Sequence, residues 1–236
     1  MAQPMRLSTA DLDSFMLRHT DANIFRESDV AGAIYQVESG CVRLVKYCAC
    51  GRRCVVAFAM PGDLFGLGSQ GPEEIDAEAA CDTRISKLNP TGLKTLMDSE
   101  PTRALTIIDA AHGGQDHHNE HFLVVSQGHA DEKVAWFLHR MTAHFSAQAK
   151  SNDHPVTFDL PMPRNDIAEH LGMKFETVSR EISRLKELGI IETIGLRKIK
   201  VLKPRDLAGR ASLDAHENRQ KAERGPVCEW MPEALS

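Results

Sequence analysis

Residues 165–204, NDIAEHLGMKFETVSREISRLKELGIIETIGLRKIKVLKP, decide the fold of the C-terminal part of this chain. Asn165 or Asp166 can cap a short helix, Gly172 ends it, and a second helix is expected from about Phe175 to Leu188, before Gly189. Ile167, Ala168, Leu171, Val178, Ile182 and Leu185 fall where two helices joined by a tight glycine turn must pack together, the spacing of a helix-turn-helix. Residues 190–193 (IIET) and 198–201 (KIKV) flank Gly195 and predict a two-stranded wing. On the second helix Glu176, Ser179 and Arg180 stand at i, i+3 and i+4 and so share one face, opposite Val178, Ile182 and Leu185. A major groove offers guanine as two acceptors that Arg grips bidentately and cytosine as a donor that Glu accepts, with Ser able to meet either kind of group. The competing reading is a surface Glu176–Arg180 ion pair worth a few tenths of a kcal/mol. The preceding helix, the glycine turn and the basic wing favour DNA reading.

Working outward, the charge pattern agrees. The 236 residues carry 28 Lys+Arg against 33 Asp+Glu, so bulk charge gives no pull toward nucleic acid. Residues 151–210 nevertheless carry eleven basic against nine acidic side chains, and Arg197, Lys198, Lys200, Lys203 and Arg205 follow one another with no acid between Thr193 and Arg205. A basic strip in an acidic chain suits a local anionic partner.

Upstream, apolar residues recur at helical spacing from Pro101, at Leu105, Ile108, Phe122 and Val125, then at Val134, Phe137, Leu138 and Met141. Two helices are expected, the first over about 102–127 and broken from the second near Gly128. A helix of that length cannot hide its apolar stripe alone, so Leu105, Ile108, Phe122 and Val125 are candidate dimer contacts. His118, near its polar centre, would meet its own copy in a two-fold interface or else simply face solvent. Seven of the eleven histidines lie between positions 112 and 144, but they spread over both helix faces, which favours solvated side chains over a metal site. From about Asn23 to Leu88 short strands alternate with turn signals such as Pro61-Gly62-Asp63, the pattern of a sandwich or barrel.

The predicted fold class is therefore α+β. A β-roll covers residues 1–100, a long dimerisation helix region 101–148 and a winged helix-turn-helix 149–207, and a polar tail follows over 208–236. The longest apolar run, residues 54–60, is too short to span a bilayer, and the N-terminus has no signal-peptide pattern, so a cytoplasmic protein without a membrane partner is expected.

Four of the six cysteines crowd between positions 41 and 54. Cys48, Cys50 and Cys54 form C-x-C-x3-C across a hairpin turn, with Cys41 as a fourth candidate ligand. Three thiols beside Arg52 and Arg53 suit a soft metal or a reversible thiol switch. The spacing is not that of structural zinc, and small residues also simply suit a turn.

The stretch LPMPRNDIAEHLGMKFETVSREISRLKELGII resembles the DNA-binding module of the CRP/FNR family of bacterial transcription regulators, and its E-x-x-S-R form resembles the FNR and FixK branches. IFRESDVAGAIYQVESGCVRL followed by MPGDLFGL resembles the family's β-roll, and HADEKVAWFLHRM the end of its dimerisation region. The resemblance implies a homodimer reading TTGA…TCAA-type palindromes in double-stranded DNA and recruiting RNA polymerase in a low-oxygen or nitrogen-fixation programme. It places base contacts on Glu176, Ser179 and Arg180 and an apolar thymine contact on Phe175. Lys174, Thr177, Arg197 and Lys198 join the expected DNA-binding set, and Arg52 and Arg53 at the hairpin tip the polymerase contact. Where cyclic-nucleotide-binding members carry a Glu and an Arg-Ser pair, this chain has the acidic GLGSQGPEEIDAEAACDT, so cyclic AMP is not expected. No cysteine precedes Cys41, unlike members holding an iron–sulfur cluster; no cofactor is expected, and a cluster or metal is the less favoured alternative. The rival functions are a redox- or metal-sensing regulator working through the cysteine hairpin and a cupin-like enzyme. The second lacks a His-x-His set or a Ser/His/Asp constellation.

Overall fold

The computed structural model describes residues 14–66, 71–102, 105, 107, 119–149 and 155–212. Eight strands form the N-terminal part: β1 (Ser14–Arg18), β2 (Asn23–Phe25), β3 (Ile34–Ser39), β4 (Val42–Tyr47), β5 (Arg53–Ala59), β6 (Leu64–Phe65), β7 (Asp76–Ala79) and β8 (Thr83–Leu88). They pair into two four-stranded antiparallel sheets, ordered β1-β8-β3-β6 and β2-β7-β4-β5. The core between them is built from Phe25, Tyr35, Val37, Val42, Ala59, Phe65, Ala77 and Ile85. The rings of Phe25, Tyr35 and Phe65 lie 5.2–6.1 Å apart and fill the interior of the roll. Gly66 closes that cluster from below. Its φ is +76° and a Cβ there would stand 2.7 Å from the Tyr35 ring, so both backbone and space demand glycine.

Helix α1 (Pro90–Ser99) leaves the roll with proline in its first turn and Asn89 Oδ1 accepting from the Gly92 N–H at 2.8 Å. Residues 101, 102, 105, 107 and 119–127 are helical; the middle of the expected dimerisation helix, with Ile108 and His118, lies outside the described residues. After Gly128 the chain turns into α2 (Ala130–Ala149), whose first turn is capped when the buried Glu132 carboxylate accepts from the His129 N–H at 2.9 Å. Val134, Ala135, Trp136, Phe137, Leu138 and Met141 carry α2 into a core that runs on without a break into the C-terminal domain.

That domain holds β9 (Val156–Asp159), α3 (Arg164–His170), α4 (Phe175–Glu187), β10 (Ile191–Ile194), β11 (Lys198–Val201) and α5 (Pro204–Ala211). The wing is three-stranded, in order β10-β11-β9, because β9 pairs with the outer side of β11, Lys198 opposite Asp159 and Val201 opposite Val156. Only two of its strands are foreseen by the turn signals. Helix α5 crosses the expected boundary at 207/208 and includes Arg210, expected in the tail. Its Leu207 is fully buried, and the helix packs against α2. The cap of α3 also differs from expectation. Pro163 holds the N-cap position without a side-chain bond, and Asp166 lies inside the helix, buried, where its carboxylate has other partners. No described helix is long and apolar enough to cross a membrane.

Candidate nucleic-acid interface

Helix α4 separates its faces as the pattern requires. Val178, Ile182 and Leu185 are buried against α2 and α3, while Phe175, Glu176 and Arg180 are exposed and Ser179 and Thr177 half-exposed. Gly172, at φ +62°, makes the turn between α3 and α4. Arg180 Nε lies 3.6 Å from Glu181 Oε1, and among the described residues no ion pair joins it to Glu176, so the surface-pair reading of that spacing does not hold. The Ser179 hydroxyl oxygen is buried and has no hydrogen-bond partner among the described residues, so in this conformation it is not presented on the open face with Glu176 and Arg180. Lys174 holds the N-cap position of α4 and is exposed. Across the wing Arg197 is exposed, and Lys198 Nζ approaches Asp159 only at 3.9 Å. The open face is thus a carboxylate and several cations with little internal pairing, the equipment for base edges flanked by phosphates.

How this module is held was not legible from its own sequence. Arg43 projects from β4 with only 9% of its side chain exposed, and its guanidinium donates to Asp21 at 2.6 Å, Glu78 at 2.7 Å and Asp166 of α3 at 2.9 Å. Burial pulls its pKa down, but the bonds to Glu78 and Asp21 and the Asp166 charge leave it above the ordinary guanidinium value. Arg53 donates to Glu169 at 2.5 Å and to Asp166 and Glu78 at 3.3 Å. This corrects the placement of Arg53 at a solvent-facing tip: it is the first residue of β5 and ties the β-roll to the helix-turn-helix, while Arg52 alone is exposed on the turn. Beside the ion pairs, His170 Nδ1–H donates to the Val55 carbonyl at 3.2 Å and His121 Nε2–H to the His170 carbonyl at 2.7 Å. The two imidazoles stack 3.9 Å apart, with Phe58, Trp136 and Phe137 around them. An arginine between two apolar strand residues, Val42 and Leu44, was the one signal of this junction.

Of the expected dimer contacts, Leu105 is 61% and Phe122 70% exposed, joined by Leu123 at 50%. Val125 is half-buried, and a Cβ at Gly172 would stand 3.3 Å from its Cγ1, so it packs beside the helix-turn-helix of its own chain.

The cysteines do not form the four-ligand set. Cys41 is fully buried in the core between Met60 and Ala80, and burial pushes its thiol well up. A separation of seven residues of strand, about 23 Å, sets it apart from Cys48. Cys48 and Cys50 are exposed on the turn and Cys54 is half-buried on β5. Among the described residues no group of three or more His, Cys, Asp or Glu could hold a metal ion.

Comparison with known proteins agrees with this geometry. The Crp-like helix-turn-helix domain matches residues 132–210 and the cyclic nucleotide-binding domain residues 19–100. The nitrogen fixation regulation protein FixK of Bradyrhizobium diazoefficiens is 32% identical over 171 residues, 72% of this chain and 71% of that one. The protein of the same name from Rhizobium meliloti is 31% identical over 184 residues, 78% and 81%. The solved structure of FixK2 from Bradyrhizobium japonicum superposes with a TM-score of 0.74 at 31% identity, covering 84% of this chain and 97% of that one. With a β-roll, a helix-turn-helix whose outer face is free for DNA, and relatives that are transcription regulators rather than enzymes, this chain belongs to the CRP/FNR family of DNA-binding transcription regulators, in its FixK-like branch.

Proposed function

We propose that this chain acts as a homodimeric transcription activator that reads a TTGA…TCAA-type palindrome through Phe175, Glu176, Ser179 and Arg180, in a low-oxygen or nitrogen-fixation programme. The observation that carries the reading is the exposed α4 face, where Arg180, among the described residues, is engaged by the neighbouring Glu181 carboxylate at 3.6 Å and not by Glu176. The programme is supported by the FixK names of the relatives alone. Dimerisation is supported by the exposed trio Leu105, Phe122 and Leu123, an apolar surface that a second copy would cover. Arg52 supplies the polymerase contact.

A cyclic nucleotide is not the effector in this reading. Glu73 and Asp29 place carboxylates on the loops where a phosphate would need cations, burial and Asp29 raise the Glu73 pKa, and the aromatic trio occupies the roll interior. The DNA reading is tested by fluorescence anisotropy on a TTGA…TCAA duplex and a scrambled one. Arg180→Ala should cost about 1–3 kcal/mol on the palindrome and little on scrambled DNA, whereas Lys198→Ala should weaken both alike and lower the salt slope by about one. Equal losses on both duplexes for Arg180→Ala would remove it from base reading.

A further inference from the structure

The β4–β5 turn carries chemistry that DNA reading does not use. The Cys48 N–H donates to the Arg52 carbonyl at 2.9 Å and the Gly51 N–H to the Cys48 carbonyl at 2.8 Å, closing a tight turn with open space around Gly51. Within it Arg52 Nε donates to Cys50 Sγ at 3.2 Å, and Cys48 stands two residues away on the same turn. Both thiols are exposed and free. Cys54 is different: half-buried on the strand, its thiol is pushed up by burial and by the nearby Cys48 and Glu169. A guanidinium on one sulfur, a second thiol beside it and solvent access to both are what thiol–disulfide exchange requires, namely a stabilised attacking thiolate and a resolving partner in reach.

We propose that this turn is a dithiol modification site that reacts with low-molecular-weight disulfides, Cys50 attacking and Cys48 resolving. The Cys50 thiolate attacks one sulfur of the disulfide RSSR, forming a Cys50–SR bond as the RS–SR bond breaks, and RS⁻ leaves to take up a proton. Cys48, losing its proton to solvent, then attacks the Cys50 sulfur and expels the second RS⁻. The balance is protein dithiol plus RSSR giving a Cys48–Cys50 disulfide plus two RSH, the protein oxidised by two electrons. Arg52 is a positioning residue that holds Cys50 as thiolate, consistent with the lowered Cys50 pKa, which the Arg52 side chain and N–H cause first. The placement gives the turn a direct neighbour in the domain junction, since Arg53 follows Arg52 in sequence.

The test uses full-length reduced protein mixed with glutathione disulfide between pH 6 and pH 9, the turn peptide being followed by mass spectrometry. The wild type should release two equivalents of glutathione for each Cys48–Cys50 disulfide formed. Cys48→Ser should stop at a mixed disulfide on Cys50, and Cys50→Ser should slow reaction of the turn by about tenfold or more. Arg52→Gln should move the pH of half-maximal rate upward while circular dichroism stays unchanged, a shift that a merely structural arginine would not produce. First adduct on Cys48 or Cys54, an unaltered rate in Cys50→Ser, or an unshifted profile in Arg52→Gln would each overturn the assignment.

Discussion

Replacing Arg43 by alanine probes the junction between the β-roll and the DNA-binding domain. Four carboxylates, Asp21, Glu78, Asp166 and Glu169, share two guanidiniums there, so the cluster is formally −2 and becomes −3 when Arg43 is lost. Asp21 is 70% exposed and can rehydrate, but Asp166 and Glu78 are nearly buried and keep only Arg53, at 3.3 Å. Breaking a buried pair costs about 3–5 kcal/mol, and the retained Arg53 contacts place this case near the lower end, at about 3 kcal/mol. For a chain of this length each kcal/mol moves Tm by about 2–4 °C, so a drop of about 6–12 °C is expected. Asp21→Ala, at an exposed pair, should cost less than about 1 kcal/mol. Calorimetry on both variants decides. If Arg43→Ala lowers Tm no more than Asp21→Ala, the junction contributes nothing and the reasoning fails.

Three further outcomes are expected. Glu73 has its folded-state pKa raised by burial and by Asp29, so it favours folding below its unfolded value and opposes it as pH rises through the folded one; Glu73→Gln should therefore raise Tm at pH 7 and leave it unchanged near pH 4, by thermal denaturation at both. Phe122→Asp combined with Leu123→Asp should convert a dimer to monomer in sedimentation velocity without altering circular dichroism, because both side chains face outward in the single chain. Arg52→Glu should reduce transcription in vitro while DNA affinity stays at the wild-type value; a parallel loss of affinity would assign the turn to folding or dimerisation.

The helix-turn-helix was readable because its positions obey one local rule: Val178, Ile182 and Leu185 must face inward at helical spacing, which fixes Glu176 and Arg180 outward. Gly172 punctuates the same stretch. The third wing strand and α5 escaped because each is short and acquires its stability from a distant partner, β9 from β11 and Leu207 from the α2 side of the core. Asp166 is the sharpest case. Its place at a helix start suggests a cap, a strictly local role, whereas its two oxygens are taken by arginines 113 and 123 residues away. Arg53 misleads in the same manner, since adjacency to Arg52 in a turn says nothing of an acidic helix arriving from another domain. Non-local charge pairing leaves no periodicity in the chain, so it is invisible until the fold brings the partners together.

The junction also limits how freely the parts of this chain can be exchanged. A chimera that kept residues 14–149 and took its DNA-binding module from a family member without acids at the positions of Asp166 and Glu169 would present two β-roll arginines to a surface that cannot receive them. Glu78 and Asp21 would still occupy Arg43, but Arg53 would lose its shortest bond and α3 its electrostatic seat on β5. The reciprocal graft would leave two unanswered carboxylates, Asp166 buried and Glu169 half-buried. Modularity in this architecture therefore ends at four side chains, and a transplant that moves Arg43, Arg53, Asp166 and Glu169 as a unit should succeed where a clean cut between domains does not.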